Sequence, residues 1–405
     1  MMFVKSINKP IIHLSLNEIM IYFAAFFCLR LNSIGYIVPA SSLYYYASFV
    51  ILAFAIILFV LSKSRKSSII YLTMLLFGLF VFATLYHNPQ NLYSAIVEIT
   101  PPLSIALLAE LNMQKRPIQF LKAINALFIT LMFIDLFTLF VFPKGLYASE
   151  LYKDNWFLGY KSERVRAVTL PAIAVAGILD VEEFKKPYRR FLVVSLLAML
   201  VSYLSGATAG TLVCLFEFLA ICILFFSNKE RTRRFMRRLF DARVAFLLIL
   251  GLNLFFVVFQ AFQSSKLFEY VIVNLLGKSM TISGRTRIWA ASLQQFMESR
   301  FIGNGHISGT RYTILTGIRG GTQPHNLMLA LLVYTGLIGL AIYGVMLVLT
   351  LRKAEVQKLS LTIICSVCIL TNMLFGITTM NMFGQFHYAM MVILYYIAIY
   401  EKKKL

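Results

Sequence analysis

The sequence predicts an all-α, polytopic integral membrane protein, and three observations predict it. The chain is 60% hydrophobic and 14% charged, against about 25% charged residues in a soluble domain. Apolar runs about twenty residues long, the length of one helical crossing, recur along its 405 residues. Basic residues crowd alternate loops, the pattern that sets membrane topology. A β-barrel is excluded, because its strands would alternate polar and apolar side chains. No small-residue cleavage site follows the first apolar run, so no cleavable signal peptide is expected.

Taken in order, about twelve spans are expected. Their ranges are 13–31, 43–62, 69–86, 92–111, 119–142, 167–180, 190–208, 210–227, 243–262, 325–350, 359–378 and 385–400. The chain then divides into N-terminal spans over 1–262, one large outer loop over 263–324 and C-terminal spans over 325–405. With Lys5 and Lys9 in the cytoplasm, the inner loops carry Lys63 and Lys66, Lys115 and Lys122, Arg189 and Arg190, the basic run 229–243, and Lys402 to Lys404. Most of the 38 basic residues are thereby accounted for, with both termini inside. The net charge of +21 is therefore topogenic and does not indicate nucleic-acid binding. In the fourth span, Pro101 and Pro102 remove two amide donors and are expected to kink or break the helix. Small residues from Ser202 to Gly210 suit close helix contact or a tight outer turn.

The five cysteines all fall in apolar runs. Cys365 and Cys368 form a C-x-x-C inside a span, where cysteine behaves as a small hydrophobe. Ionisable residues inside spans, namely Glu98, Asp135 and Glu217, are either functional or paired between helices.

Two outer segments retain cations against the topogenic bias, which suggests an anionic ligand. In the earlier one, Trp156-Phe157-Leu158-Gly159-Tyr160 precedes Arg164 and Arg166. Aromatic rings beside arginines suit a sugar next to a phosphate, and equally an interfacial aromatic belt. In the later one, Ser283 is a good N-cap for a helix running to about Ser299. Arg285 then lies in the first turn, where helix N-terminus and guanidinium can hold the same phosphate oxygens. Arg287 is a second contact or a solvated charge. Ile288, Trp289, Leu293 and Phe296 form one helical face that can rest on the membrane interface. The alternative is a surface amphipathic helix with no ligand. Gly303-Asn304-Gly305-His306 and Gly317-Ile318-Arg319-Gly320-Gly321 suggest flexible loops that fold over substrate. Neither resembles a P-loop. His306 reads as a loop residue rather than a metal ligand. His325 follows Pro324 and opens an apolar helix, whose dipole favours neutral imidazole, a base for a hydroxyl. It can equally be a plain cap. Asn326 could hold that ring or a sugar hydroxyl.

The series Ser283-Gly284-Arg285-Thr286-Arg287-Ile288-Trp289, Phe301-Ile302-Gly303-Asn304-Gly305, His325-Asn326 and Tyr334-Thr335-Gly336-Leu337-Ile338-Gly339-Leu340 resembles the O-antigen ligase and polymerase superfamily of bacterial membrane proteins. The resemblance implies an inverting glycosyltransferase, independent of metal or other cofactor, acting outside the cytoplasmic membrane. Its donor and acceptor would be oligosaccharides on undecaprenyl diphosphate, and its partners chain-length regulator and flippase proteins. Arg285 matches the family arginine taken to bind the diphosphate, and His325 the histidine taken to activate the acceptor. Arg164, Arg166, Arg287, Asn326, Trp289, Gly303 and Gly305 are the further substrate-binding candidates. Ligases tend to carry another arginine where this chain reads Leu204-Ser205-Gly206-Ala207-Thr208. Its absence favours a polymerase of O-antigen, capsule or exopolysaccharide over a ligase onto lipid A–core, and Arg164 or Arg166 could fill the role. A third reading is a carrier-lipid transporter, but such a protein should place its polar residues near the midplane.

Overall fold

In the computed structural model of the protein, the residues described are 15–38, 41–64, 66–149, 152, 154–183, 188–226, 231, 238, 244, 247–248, 251–253, 285–318, 321–357, 360–379 and 382–404. Their helices are α1 (Leu16–Cys28), α2 (Asn32–Ile37), α3 (Ser41–Leu61), α4 (Ser68–His87), α5 (Leu92–Met113), α6 (Pro117–Val141), α7 (Leu170–Glu182), α8 (Arg189–Leu204) and α9 (Thr208–Phe226). Then follow α10 (Arg285–Glu298), α11 (Gly309–Thr316), α12 (Leu327–Gln357), α13 (Ser360–Phe375) and α14 (His387–Lys404). Local chemistry starts several of them. The Ser15 side chain accepts the Glu18 N–H while the Glu18 carboxylate accepts that of Ser15, a reciprocal cap on α1. Ser67 caps α4 and Ser308 caps α11. Pro117 occupies the first turn of α6, where a missing N–H costs nothing.

Six of the described helical segments are long and apolar enough to cross a membrane: Ser41–Leu61, Ser68–His87, Pro89–Met113, Pro117–Val141, Thr208–Phe226 and Leu327–Lys353. Leu16–Cys28 and Leu361–Phe375 are apolar but shorter. Each expected span except the ninth falls on a helix. The ninth, over 243–262, lies largely outside the described residues.

The helices pack side by side around a core in which α7, α13 and α14 are the most deeply buried. Polar groups tie the bundle at both ends. At one end the buried Glu110 carboxylate accepts the backbone N–H (2.9 Å) and hydroxyl (2.6 Å) of Ser67, the hydroxyl of Tyr396 and the amide of Gln114 (3.1 Å). One carboxylate thus joins α4, α5 and α14. At the opposite end Asp135, near the end of α6, accepts the Leu158 N–H at 2.8 Å and pairs with Arg164 at 2.6 Å. Helix α5 runs without interruption through Pro101 and Pro102, so the break the sequence suggested does not occur. The carbonyls of Val97 and Glu98, four residues back, are left without a helical donor.

Helix α12 is interrupted at Gly336, whose φ of 65° and ψ of −163° lie outside the helical region. The backbone groups freed there are satisfied by residues 300–305. The N–H groups of Leu337 and Ile338 donate to the carbonyls of Arg300 (2.8 Å) and Phe301 (3.1 Å), and the carbonyls of Val333 and Tyr334 accept from Asn304 (2.7 Å) and Gly305 (3.1 Å). The Gly-Asn-Gly turn is therefore a clasp on a broken helix, not the flexible flap its composition suggested. Gly303 and Gly305 have φ of 74° and 64°, and a Cβ at Gly305 would strike the Thr84 backbone. Gly305→Ala is expected to destabilise the protein by at least about 1 kcal/mol, read as a lower unfolding midpoint in detergent. An unchanged midpoint would refute the clasp.

Candidate active site

The end of α1, the start of α3, the first turns of α5, the loop after α6, and the approaches to α12 and α14 all meet at one end of the bundle. They enclose a cavity of about 440 Å³, within the usual range for a small-molecule site. Its walls carry the guanidinium groups of Arg30 and Arg166 and the carboxylates of Glu98 and Glu163. The amides of Asn32, Gln323 and Gln385 and the rings of Tyr45, Tyr152 and Phe383 complete it. Val97, Glu98 and Pro101 form one wall, so the proline-freed stretch of α5 faces this space. Glu98 lies about two turns into α5, and its Oε1 is 3.5 Å from Nε2 of His306. His306 is held by its own N–H donating to the Thr84 hydroxyl at 2.8 Å. Its carbonyl accepts from Asn91 at 3.3 Å.

Arg285 opens α10, and its Nε donates to the Thr378 carbonyl at 3.1 Å. Burial lowers its pKa from the usual arginine value, while Tyr160 and Tyr152 act in the opposite direction. A guanidinium remains charged under these conditions, so a partly desolvated cation stands ready for an anion. Tyr152 and Tyr160 stack at 3.7 Å. Burial raises the Tyr152 pKa, and both Arg166 and Arg285 pull it down. Tyr152 thus links the Arg285 neighbourhood to the cavity wall.

The structure brings Arg285 and the two residues after His325 to one turn, 376–378. Asn326 donates to the Ile377 carbonyl at 3.1 Å and the Leu327 N–H to that of Gly376 at 2.7 Å. The next carbonyl, Thr378, is the one Arg285 holds. His325 itself is half-buried with φ of 50°, a left-handed conformation uncommon for non-glycine residues, though histidine is among those that adopt it more readily. Neither Arg285 nor His325 lines the cavity, although Gln323, two residues before His325, does.

Other candidates take different positions. Arg164 is fully buried, with Nη1 on Asp135 (2.6 Å), Nη2 on the Gly159 carbonyl (3.0 Å) and its charge over the Trp156 ring (5.3 Å). Trp156 is buried, its Nε1 donating to the Phe142 carbonyl at 2.8 Å. Asn326 is the N-cap of α12, its Oδ1 accepting the Leu329 N–H at 3.0 Å. Ile288 and Trp289 are packed inside the protein rather than against an interface, because α10 turns that face toward α11 and α12. Arg287 is exposed on the other face. Gly303 and Gly305 belong to the clasp. Ser283, Gly284, Arg319 and Gly320 lie outside the described residues. Glu217 is buried and accepts from Thr371 at 3.1 Å. Cys365 and Cys368 are buried in α13. The stretch 202–210 serves both expected purposes. Gly206, with φ of 74°, turns α8 into α9, and Gly210 approaches Val165 too closely for a side chain.

Arg30 was not singled out from sequence. One signal was present: it is a lone cation ending the first apolar run, beside an outer loop without any basic residue.

The fold and cavity define a multi-pass membrane protein with cations, carboxylates and amides gathered at one end of its bundle. Residues 191–344 match the family model Wzy_C, described as O-Antigen ligase. The match covers less than half of the chain and supports its similarity to the O-antigen ligase and polymerase superfamily. A search of curated proteins finds no match. The matched segment contains Arg285 and His325, while Arg30, Glu98 and Arg166 lie before it.

The two loop arginines differ in role. Arg164→Met leaves Asp135 buried without its counter-charge and is expected to cost about 3–5 kcal/mol. Arg166→Met should cost less than about 1 kcal/mol. Comparable unfolding midpoints for the two variants would refute this division.

Proposed function

We propose that the protein is a polymerase joining undecaprenyl-diphosphate-linked oligosaccharide repeat units into O-antigen, capsular or exopolysaccharide. Transfer takes place on the outer face of the bacterial cytoplasmic membrane, in a bundle of about twelve spans with both termini inside. The observation that carries this reading is the convergence of Arg285 and Asn326, the residue after His325, on consecutive carbonyls of the turn 376–378. In this reading one substrate is held by the Arg285 cation and met by the His325 base.

The chemistry needs little else. The imidazole of His325 takes the proton of the acceptor hydroxyl as its oxygen attacks the anomeric carbon. The bond from that carbon to the diphosphate oxygen breaks, and the diphosphate leaves with the electron pair. Arg285 stabilises the charge that develops there. A single displacement inverts the anomeric centre. Asn326, as the cap of α12, fixes the His325 backbone, and Trp289 anchors α10 so that Arg285 keeps its aim. Cavity amides and rings suit sugar hydroxyls and sugar faces.

One feature favours polymerase over ligase. The stretch 204–208 has no arginine. Of the two arginines that might replace it, Arg164 is consumed by Asp135. Arg166 remains on the cavity wall, beside the Val165 that packs on Gly210.

Arg285→Ala and His325→Ala should each lower polymer formation at least about 100-fold while the protein still inserts. Retained long-chain polymer in either variant would refute the assignment. Purified protein given both acceptors should yield a ladder of repeat units on the carrier lipid. Conjugates to lipid A–core alone would make it a ligase.

A further inference from the structure

We infer that Arg30 is an oxyanion-binding residue of the substrate cavity, contributed by a part of the chain that precedes the matched segment. Arg30 follows α1, and its backbone lies in the left-handed region with φ of 48°. This bend is held from both sides: the Tyr44 hydroxyl accepts the Leu31 N–H at 3.0 Å and donates to the Phe26 carbonyl at 3.0 Å. The guanidinium rests over the rings of Tyr45 (5.2 Å) and Phe49 (4.8 Å). Such faces fix a cation in place without neutralising it. Among the described residues no carboxylate lies within ion-pair distance of Arg30, and its Nη1 has no hydrogen-bond partner.

Arg30 is half-buried, and a buried guanidinium nitrogen without a partner, such as its Nη1, is costly unless an acceptor joins it. The cavity is where that anion can arrive, since Arg30 and Arg166 both line it. The two carboxylates on the same walls have donors of their own. Glu98 faces His306 at 3.5 Å, and Glu163 accepts the Tyr160 N–H at 3.2 Å. A cation snorkelling outward to lipid headgroups would need no second arginine lining the same cavity. The oxyanion has two possible sources in a lipid-linked glycan: the diphosphate of the carrier, or the carboxylate of an acidic sugar. The inference rests on the glycosyl-transfer reading for the identity of that substrate.

The test uses full-length protein in lipid nanodiscs, with two probes measured separately: undecaprenyl diphosphate, and a glucuronate-containing tetrasaccharide read against neutral maltotetraose. Arg30→Gln should weaken binding of one probe at least about tenfold, the loss expected for a charge-assisted contact. A loss confined to undecaprenyl diphosphate assigns the carrier as source, and a loss confined to the acidic tetrasaccharide assigns the sugar. A second measurement needs no variant: the effective probe should protect Arg30 of the wild-type protein from phenylglyoxal, read by mass spectrometry. A folded Arg30→Gln protein that binds both probes like wild type overturns the inference. So does an Arg30 that neither probe protects. Polymer assays on the same samples keep the two readings apart. Loss of probe binding in Arg30→Gln, with a wild-type protein that binds the probe but makes no polymer, counts against the polymerase alone; unchanged binding in Arg30→Gln, with a wild type that makes polymer, counts against Arg30 alone.

Discussion

A chain lodged in hydrocarbon must satisfy every backbone polar group from within, and the break in α12 is where this constraint governs the rest. Gly336 interrupts the ladder of a helix long enough to span, and residues 300–305 supply the missing partners. That docking fixes the end of α10 against α12. Asn304 extends the connection, accepting through its carbonyl from Asn88 at 2.8 Å, while Asn88 in turn accepts from Arg311 at 2.9 Å. The segment bearing Arg285 and the helix that follows His325 are thereby one body with α4. Without the break, residues 300–305 would have no partners there, and Arg285 would have no fixed relation to the turn 376–378.

The arginines at the cavity end divide into two kinds. Arg164 is neutralised by Asp135 and stitches the outer loop to α6. It is a folding device, costly to interrupt and of uncertain net gain against an apolar replacement. Arg30, Arg166 and Arg285 stand instead on or beside a cavity, with aromatic rings and carbonyls around them. Two of the three non-glycine residues with positive φ among those described, Arg30 and His325, occur at this end. Strain tolerated at such positions is compatible with a site whose groups must be aimed before substrate arrives.

The opposite end of the bundle shows a different economy. Glu110 and Glu183 gather donors from several helices there: Ser67, Gln114 and Tyr396 on the first, Lys122 (3.1 Å) and Arg190 (2.9 Å) on the second. These are local networks beside basic loops, in which the carboxylates meet their donors directly. The contrast supports assigning chemistry to the end where cations are gathered around open space.

Composition and apolar run length alone determined that this protein is helical and membrane-embedded, because burying a backbone in lipid leaves few alternatives to the helix. The positions of most helices followed from the same runs, and Arg285, His325 and the Gly-Asn-Gly turn were legible as motifs. What those motifs do was not. Trp289 looked interfacial and is core, since helical spacing gives a face without saying what covers it. The glycines of 303–305 looked mobile and are a clasp, since a requirement for positive φ and close approach resembles flexibility in sequence. The proline pair read as a kink or a break, and α5 continues through it unbroken. Arg164 and Arg166 were indistinguishable two residues apart, and only the distance to Asp135 separated them. Arg30 entered the site only when α1 was folded against α3, α5 and the loop after α6. Contacts between residues hundreds of positions apart depend on packing, and a linear pattern carries periodicity but not the partner.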